Sequence, residues 1–439
     1  MKKRWLLAVF MILSLALPAA VAAQEPIRVI DQSVEAAFRD HITFDISLES
    51  DSEITQAQLL YRVAGQIATA RGDAEIEPDT RVEASYTIDQ ERDYLPPGTE
   101  LEYWWKIVDD AGHQLQTDRQ PLLYMDDRHD WQVLSNDRLS LYWYTGDRVL
   151  GEALFDQANQ TLDQIETDAG VQVDMPVKIF IYGSFSDLRD AIQVGAQEWT
   201  GGQAFTEQGV VVIGVAPSDL DYGLVATPHE LTHLVIHQAT DNPFGDIPRW
   251  LDEGLAVYMS GELDADWRGY RELVEQRAAR GQIMTLQTLS SSFPADSQEA
   301  GLAYAQSGLI VEFIIDHYGQ EAMAHLLEIF SEGALYDEAL QQALGVDTWG
   351  LDNTWRQEFG APLAKAPAGA AATPPPASAA TSQPAPASTA VPAAAAVTPA
   401  VPGEAPASGG GGGALPCLGS SLVGLAVLGL FVLFRARGG

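Results

Sequence analysis

Cysteine is almost missing. One residue, Cys417, stands in a chain of 439, so no disulfide can close within it and no thiolate-based zinc site can be built. Positive charge is also scarce: 25 Lys and Arg face 61 Asp and Glu, a formal net charge of −36. Such a surface repels duplex nucleic acid and anionic lipid, so nucleic acid is excluded as a partner on a first reading. There are 8 histidines, so a metal site must combine few imidazoles with carboxylates. Long uncharged apolar runs occur only at the two ends. Apolar residues overall are plentiful at 46%, enough at this length for more than one core.

The first end run follows Met1-Lys2-Lys3-Arg4, spans Trp5 to Leu17, and closes in Pro18 and the small residues Ala19 to Ala23. This pattern predicts a secretory signal peptide over residues 1–23, since a membrane span needs about 20 apolar residues. The second run, Leu415 to Phe434, has no charge and is followed by Arg435 and Arg437. It suits a single transmembrane helix at 415–434 with a basic cytoplasmic tail at 435–439. Gly409 to Gly413 ahead of it and arginine directly behind also fit a cleavable C-terminal sorting signal. Cys417 could carry a lipid or simply be buried. Between the folded part and this run, residues 361–414 are mostly Ala, Pro, Ser, Thr and Gly, with Lys365 and Glu404 as the only charges. They cannot bury enough apolar surface to fold. They read as a disordered stalk of up to roughly 170 Å at about 3.1 Å per residue. The expected localisation is the cell membrane, single-pass, with the folded part exported.

Residues 24–128 read as strands. Ile42 to Leu48 alternates apolar and polar positions, Ile54 to Val63 does so roughly, and Leu101 to Val108 is rich in aromatic and β-branched residues. Turn signals lie at Pro96-Pro97-Gly98 and Asp109-Asp110-Ala111-Gly112. Short strands at this spacing predict an all-β sandwich. Leu95-Pro96-Pro97-Gly98-Thr99 followed by Tyr103-Trp104-Trp105 resembles a fibronectin- or immunoglobulin-like domain. No group of residues there carries chemistry, so a spacer or docking module is expected.

Residues 129–360 change character. Leu150, Leu154, Ala158, Leu162 and Ile165 recur at helical spacing. Val177 to Tyr182 and Gly209 to Val215 read as strands, and the remainder is mostly helical, which predicts an α+β domain. Within it, Thr227-Pro228-His229-Glu230-Leu231-Thr232-His233 holds an H-E-x-x-H pattern. Pro228 suits a first helical position and Thr227 its cap. His229 and His233 then lie one turn apart on one face, where both can reach a single ion. Glu230 beside them can take a proton from a metal-bound water, or serve only as a capping-box glutamate. A third histidine on the same segment is missing, because Ile236 and Ala239 occupy the places where it would fall. Trp250-Leu251-Asp252-Glu253-Gly254-Leu255-Ala256 offers Glu253 instead, beyond a turn marked by Pro243 and Gly245, with Pro248 at the start of the next helix.

HELTH followed by WLDEGLA resembles the thermolysin-like (gluzincin) zinc metallopeptidases, and especially the peptidase MA-like domain family of bacterial surface proteins. The resemblance implies one zinc ion on His229, His233 and Glu253, with Glu230 as general base. It implies that Asp252 supports a ligand histidine through its free ring nitrogen. It also suggests Tyr304, in Ala303-Tyr304-Ala305-Gln306-Ser307-Gly308, as donor to the developing oxyanion, against a reading as a packed core aromatic. Tyr258 is expected in the core. His237 is expected to be packed or solvent-facing, and His317 and His325 to lie on the surface. The stretch Gln208 to Ile213 is expected to be an edge strand that pairs with extended peptide substrate. The favoured function is therefore an exported, membrane-anchored zinc metallopeptidase acting on peptide or protein. A surface binding or adhesion protein with an intact but unused metal site competes with it, as does a structural wall-spanning protein with a chance motif.

Overall fold

The computed structural model of the protein describes residues 26–173, 175–192, 201–265 and 269–365. The signal-like residues 1–23, the stalk beyond 365, the apolar run 415–434 with Cys417, and the tail 435–439 lie outside the described residues. Among the described residues no helix is long and apolar enough to cross a membrane. Contacts group the chain into two compact units. One is residues up to Asp163 with Gln172–Gln238; the other is Gln164–Val171 with the residues from Ala239 on.

The first unit begins with seven strands: β1 (Ile27–Ala37), β2 (His41–Val63), β3 (Ala70–Asp73), β4 (Asp79–Asp89), β5 (Thr99–Asp109), β6 (Gln114–Gln116) and β7 (Gln120–Tyr124). The two runs expected as separate strands, Ile42–Leu48 and Ile54–Val63, are one strand, β2. Its first part pairs antiparallel with β1 and β4, and its second with β5 and β3. The polar residues between the runs do not turn, because they are satisfied in place. Ser50 Oγ donates to Asp109 Oδ2 at 3.1 Å, and the Asp110 N–H donates to the Glu53 carbonyl at 2.8 Å. Through β2 the strands are hydrogen-bonded into one seven-stranded sheet, where the sandwich expectation called for two separate sheets. The alternation in β2 is the expected one, with Ile42, Phe44, Ile46 and Leu48 all buried.

A second, five-stranded sheet follows, with β8 (Gln132–Ser135), β9 (Leu139–Trp143), β10 (Val177–Tyr182), β11 (Gly202–Phe205) and β12 (Val210–Gly214) in the order β11-β12-β10-β9-β8. Strands β9, β10 and β12 are parallel, and the antiparallel β8 and β11 flank them. This corrects the edge-strand expectation. The Gln208–Ile213 stretch falls mainly in β12, a central strand whose five residues are all buried; β11 takes the edge. A continuous apolar run such as Val210-Val211-Val212-Ile213 belongs in the middle of a parallel sheet. Helix α1 (Arg148–Ala169) buries Leu150, Leu154, Ala158, Leu162 and Ile165 as its spacing predicts. The short α2 (Phe185–Ala191) is capped by Ser184, and α3 (Leu220–Thr240) closes the unit. One hydrophobic cluster joins Phe44, Ile46 and Trp105 of the first sheet to Phe180, Tyr182 and Val212 of the second. Beside it, buried Asp126 accepts from Tyr182 Oη at 2.9 Å and from Arg128 at 2.8 and 2.7 Å.

The second unit is helical: α4 (Arg249–Met259), α5 (Tyr270–Ala278), α6 (Leu286–Leu289), α7 (Ser297–Tyr318), α8 (Gln320–Ser331), α9 (Tyr336–Leu344) and α10 (Thr348–Glu358). Asp296 caps α7 by accepting from the N–H groups of Gln298 and Glu299, and Asp347 caps α10 by accepting from Gly350. Gly319, at φ 92°, separates α7 from α8. Such a backbone suits glycine.

Candidate metal centre

Helix α3 is buried on every side from Ala226 to Ile236, so it is a core helix rather than a surface one. It starts at Leu220, and Pro228 lies inside it. The expected start at Thr227-Pro228 is therefore too late. Pro228 cannot donate to residue 224, and its own carbonyl accepts from Thr232 Oγ1 at 2.8 Å. One turn separates His229 from His233, whose rings lie 4.9 Å apart between centroids. His229, Glu230 and His233 are 1%, 4% and 4% exposed.

Edge strand β11 meets this helix at Glu230. A Cβ built on Gly202 would stand 2.7 Å from Glu230 Cγ and 3.0 Å from its Cδ. No feature of the sequence pattern marks that glycine. It is found only when strand and helix are seen together.

Helix α4 carries the other half of the expected set. Pro248 occupies its N-cap in an extended conformation, as its place in the sequence suggests. Glu253 is buried, and its Oε1 accepts from the Arg249 guanidinium at 2.7 Å, one turn back on α4. Arg249 also sits over the Phe293 ring, 5.3 Å from its centroid. Burial, the largest single influence, would lower the Arg249 pKa, but Glu253, Tyr304 and Asp252 together outweigh it and raise it.

Tyr304 reaches the same oxygen from α7. It is 2% exposed, packs edge-on against Phe293, and donates to Glu253 Oε1 at a long 3.4 Å. Burial, and then the neighbouring carboxylate, push its phenol well above the usual range, so it is a hydroxyl donor at neutral pH. The approach of α4 and α7 depends on two glycines. A Cβ on Gly254 would lie 2.6 Å from the Ser307 carbonyl oxygen, and one on Gly308 would lie 2.5 Å from Val257 Cγ1.

His229 and His233 of the first unit and Glu253 of the second are all buried. Two imidazoles and one carboxylate are the His₂Glu donor types suited to zinc, a set that leaves the fourth position to water or substrate. The donors present thus fit the metal implied by the resemblance. Asp252, next to Glu253 on α4, is buried as well. A carboxylate at the ring of a ligating histidine is the arrangement that fixes its tautomer. His237, expected to be packed or solvent-facing, is part-buried, its ring 6.2 Å from that of His233.

The remaining residues fall outside the site. Tyr258 is half-buried, its phenol pushed up to about 12 by burial and by nearby Asp168. His317 is exposed and stacks on Phe313, and His325 pairs with Glu328 on the surface.

Among curated proteins, none matches the chain. Among solved structures, one similar chain is a catalytically inactive OgpA from Akkermansia muciniphila in complex with an O-glycopeptide. The identity is 12% over 24% of this chain and 30% of that one, with a TM-score of 0.19. The present chain thus spans about three-tenths of that protein's length. An M1 zinc metallopeptidase from Deinococcus radiodurans is 12% identical over 75% of this chain and 91% of that one, with a TM-score of 0.34. A family 56 carbohydrate-binding module, a β-1,3-glucan binding domain, is 15% identical over 21% of this chain and 95% of that one, with a TM-score of 0.14. Similarities this low add nothing to the reading of the site. The family comparison is of another kind, because it covers both motifs: residues 157–361 are similar to the peptidase MA superfamily, whose family model they match.

Proposed function

We propose that the chain is a zinc-dependent metallopeptidase, with His229, His233 and Glu253 as metal ligands and Glu230 as general base. The observation that carries this reading is the buried pair His229 and His233, one turn apart on α3 with rings 4.9 Å apart, and the buried Glu230 carboxylate next in sequence to the first histidine. When bound, zinc supplies a Lewis acid that polarises the scissile carbonyl and acidifies water. Glu230 takes a proton from the attacking water and returns it to the departing amine. Asp252 holds a ligand histidine in the ligating tautomer. Tyr304, protonated at neutral pH, donates toward the developing oxyanion. The backbone of β11, the strand that lies against Glu230, pairs with an extended peptide, which moves this role from the Gln208–Ile213 stretch to Gly202–Phe205. The exported, tethered placement belongs to the same proposal and rests on the composition of residues 1–23 and 415–434.

The test is metal analysis together with peptide-library cleavage, wild type against Glu230→Gln. The expected outcome is one zinc per chain in both proteins and hydrolysis in the wild type alone. Hydrolysis surviving in Glu230→Gln overturns the assigned base. Zinc in both proteins with no cleavage by the wild type favours a non-catalytic binding or adhesion protein that retains a peptidase-like metal site.

A further inference from the structure

Gly202 is a glycine for want of space, not for conformation. Its φ lies outside the left-handed region, it sits within β11, and its backbone is one that any residue can adopt. What a side chain would meet is Glu230: Cγ at 2.7 Å, Cδ at 3.0 Å and Oε1 at 3.1 Å from a built Cβ. The nearest of these atoms is not the flexible end of the glutamate. Cγ is placed by χ1 alone, so rotation about the outer bonds cannot move it away. A different χ1 is the only local escape, and helix backbones restrict that choice. Glu230 is also 4% exposed, within a helix buried on all sides. Strand β11 is tied to β12 through the register Gly202↔Ile213 to Phe205↔Val210, and the Gly214 N–H donates to the Gly201 carbonyl at 3.0 Å. Neither partner gives way easily.

We infer that Gly202 is a positioning residue for Glu230: the bare backbone of the edge strand forms the wall that holds the glutamate in one rotamer, and so sets where its carboxylate meets the substrate's water. This rests on the proposed role of Glu230 as base, but the packing relation itself stands without it. A carboxylate displaced by about 1 Å costs on the order of 100-fold in rate. Zinc affinity stays as it is, because Glu230 is not a ligand in this reading.

The experiment is a double-mutant cycle of Gly202→Ala with Glu230→Ala, which removes the clashing Cγ. Two readouts are taken on the full chain. In the first, thermal midpoints are measured on metal-free protein. Gly202→Ala is expected to lower the midpoint when residue 230 is Glu and to leave it unchanged when residue 230 is Ala. An equal loss in both backgrounds means that the methyl strains the strand rather than the glutamate, and overturns the inference. The second readout is steady-state cleavage by Gly202→Ala alone. A fall in kcat of about 100-fold with KM and zinc content near wild type is expected. Wild-type kcat in that variant also overturns the inference. A wild type that cleaves nothing removes the peptidase reading while leaving the thermal cycle to decide the packing claim.

Discussion

Glu253 is a carboxylate at 2% exposure with a guanidinium 2.7 Å from one oxygen. A buried carboxylate needs compensation, and breaking a buried ion pair by removing one partner costs about 3–5 kcal/mol. Without metal, Arg249 supplies that compensation; with metal bound, the cation shares it. The sign of a test follows. Arg249→Gln should lower the thermal midpoint of the metal-free protein, while added zinc should raise the midpoint by more than it does in the wild type. Stabilisation by a ligand scales with its differential affinity for the folded state, and in the variant zinc is the main positive charge on offer. An equal zinc-induced rise in both proteins would show that Arg249 does not neutralise Glu253. The proposed ligands can be named from the sequence, because helical spacing alone puts His229 and His233 on one face and WLDEG offers a carboxylate. Arg249 and Gly202 were not. Arg249 reads as an ordinary charge at the start of a helix, and Gly202 as one glycine among many, until Glu253 and Glu230 are placed beside them.

At the scale of elements, the reading of the chain followed how strongly each segment repeats. Helix α1 was legible because one-sided burial imposes a period on it, and strands β10 and β12 because burial on both faces makes them continuous apolar runs. Strands β8, β9 and β11 are short, four or five residues each, too short for alternation to stand out. The start of α3 was misplaced because Pro228 resembles a first-turn proline. Asp219, just before Leu220, is a residue type that suits a helix cap, but Thr227-Pro228 offers a second such start further on. The polar residues between β2's two runs interrupt the alternation, yet Ser50 and Glu53 find partners inside the sheet in Asp109 and Asp110. The packing of α4 on α7 gives a prediction at this scale. Gly254→Ala places a methyl 2.6 Å from the Ser307 carbonyl oxygen and 2.9 Å from its carbon, so the helices must separate or Gly254 must shift. Overpacking of this kind costs about 1–3 kcal/mol. It should also lengthen the Tyr304–Glu253 contact, already at 3.4 Å. Chemical denaturation of Gly254→Ala against wild type measures the cost, and a variant as stable as the wild type would mean that the interface yields without strain.

For the whole molecule, charge is the dominant feature: a net −36 and an isoelectric point near 4.3. Charge of one sign raises the local concentration of oppositely charged ligands and their association rates by about 10- to 1,000-fold, and salt screens the effect within about 10 Å at 0.1 M. If the chain cleaves peptides as proposed, the field around it favours cationic ones without any dedicated pocket. Two versions of one cleavable peptide, flanked by lysines or by glutamates away from the scissile bond, separate this field from local recognition. At low ionic strength the lysine version should show the higher kcat/KM, by about tenfold or more, and the advantage should shrink steadily as sodium chloride is raised from about 0.02 to 0.5 M. Screening acts on approach rather than on chemistry, so kcat for the two peptides should stay alike throughout. A preference for lysine that persists undiminished in high salt would point to direct contacts with particular acidic side chains. The absence of any preference at low salt would mean that the −36 charge serves solubility alone.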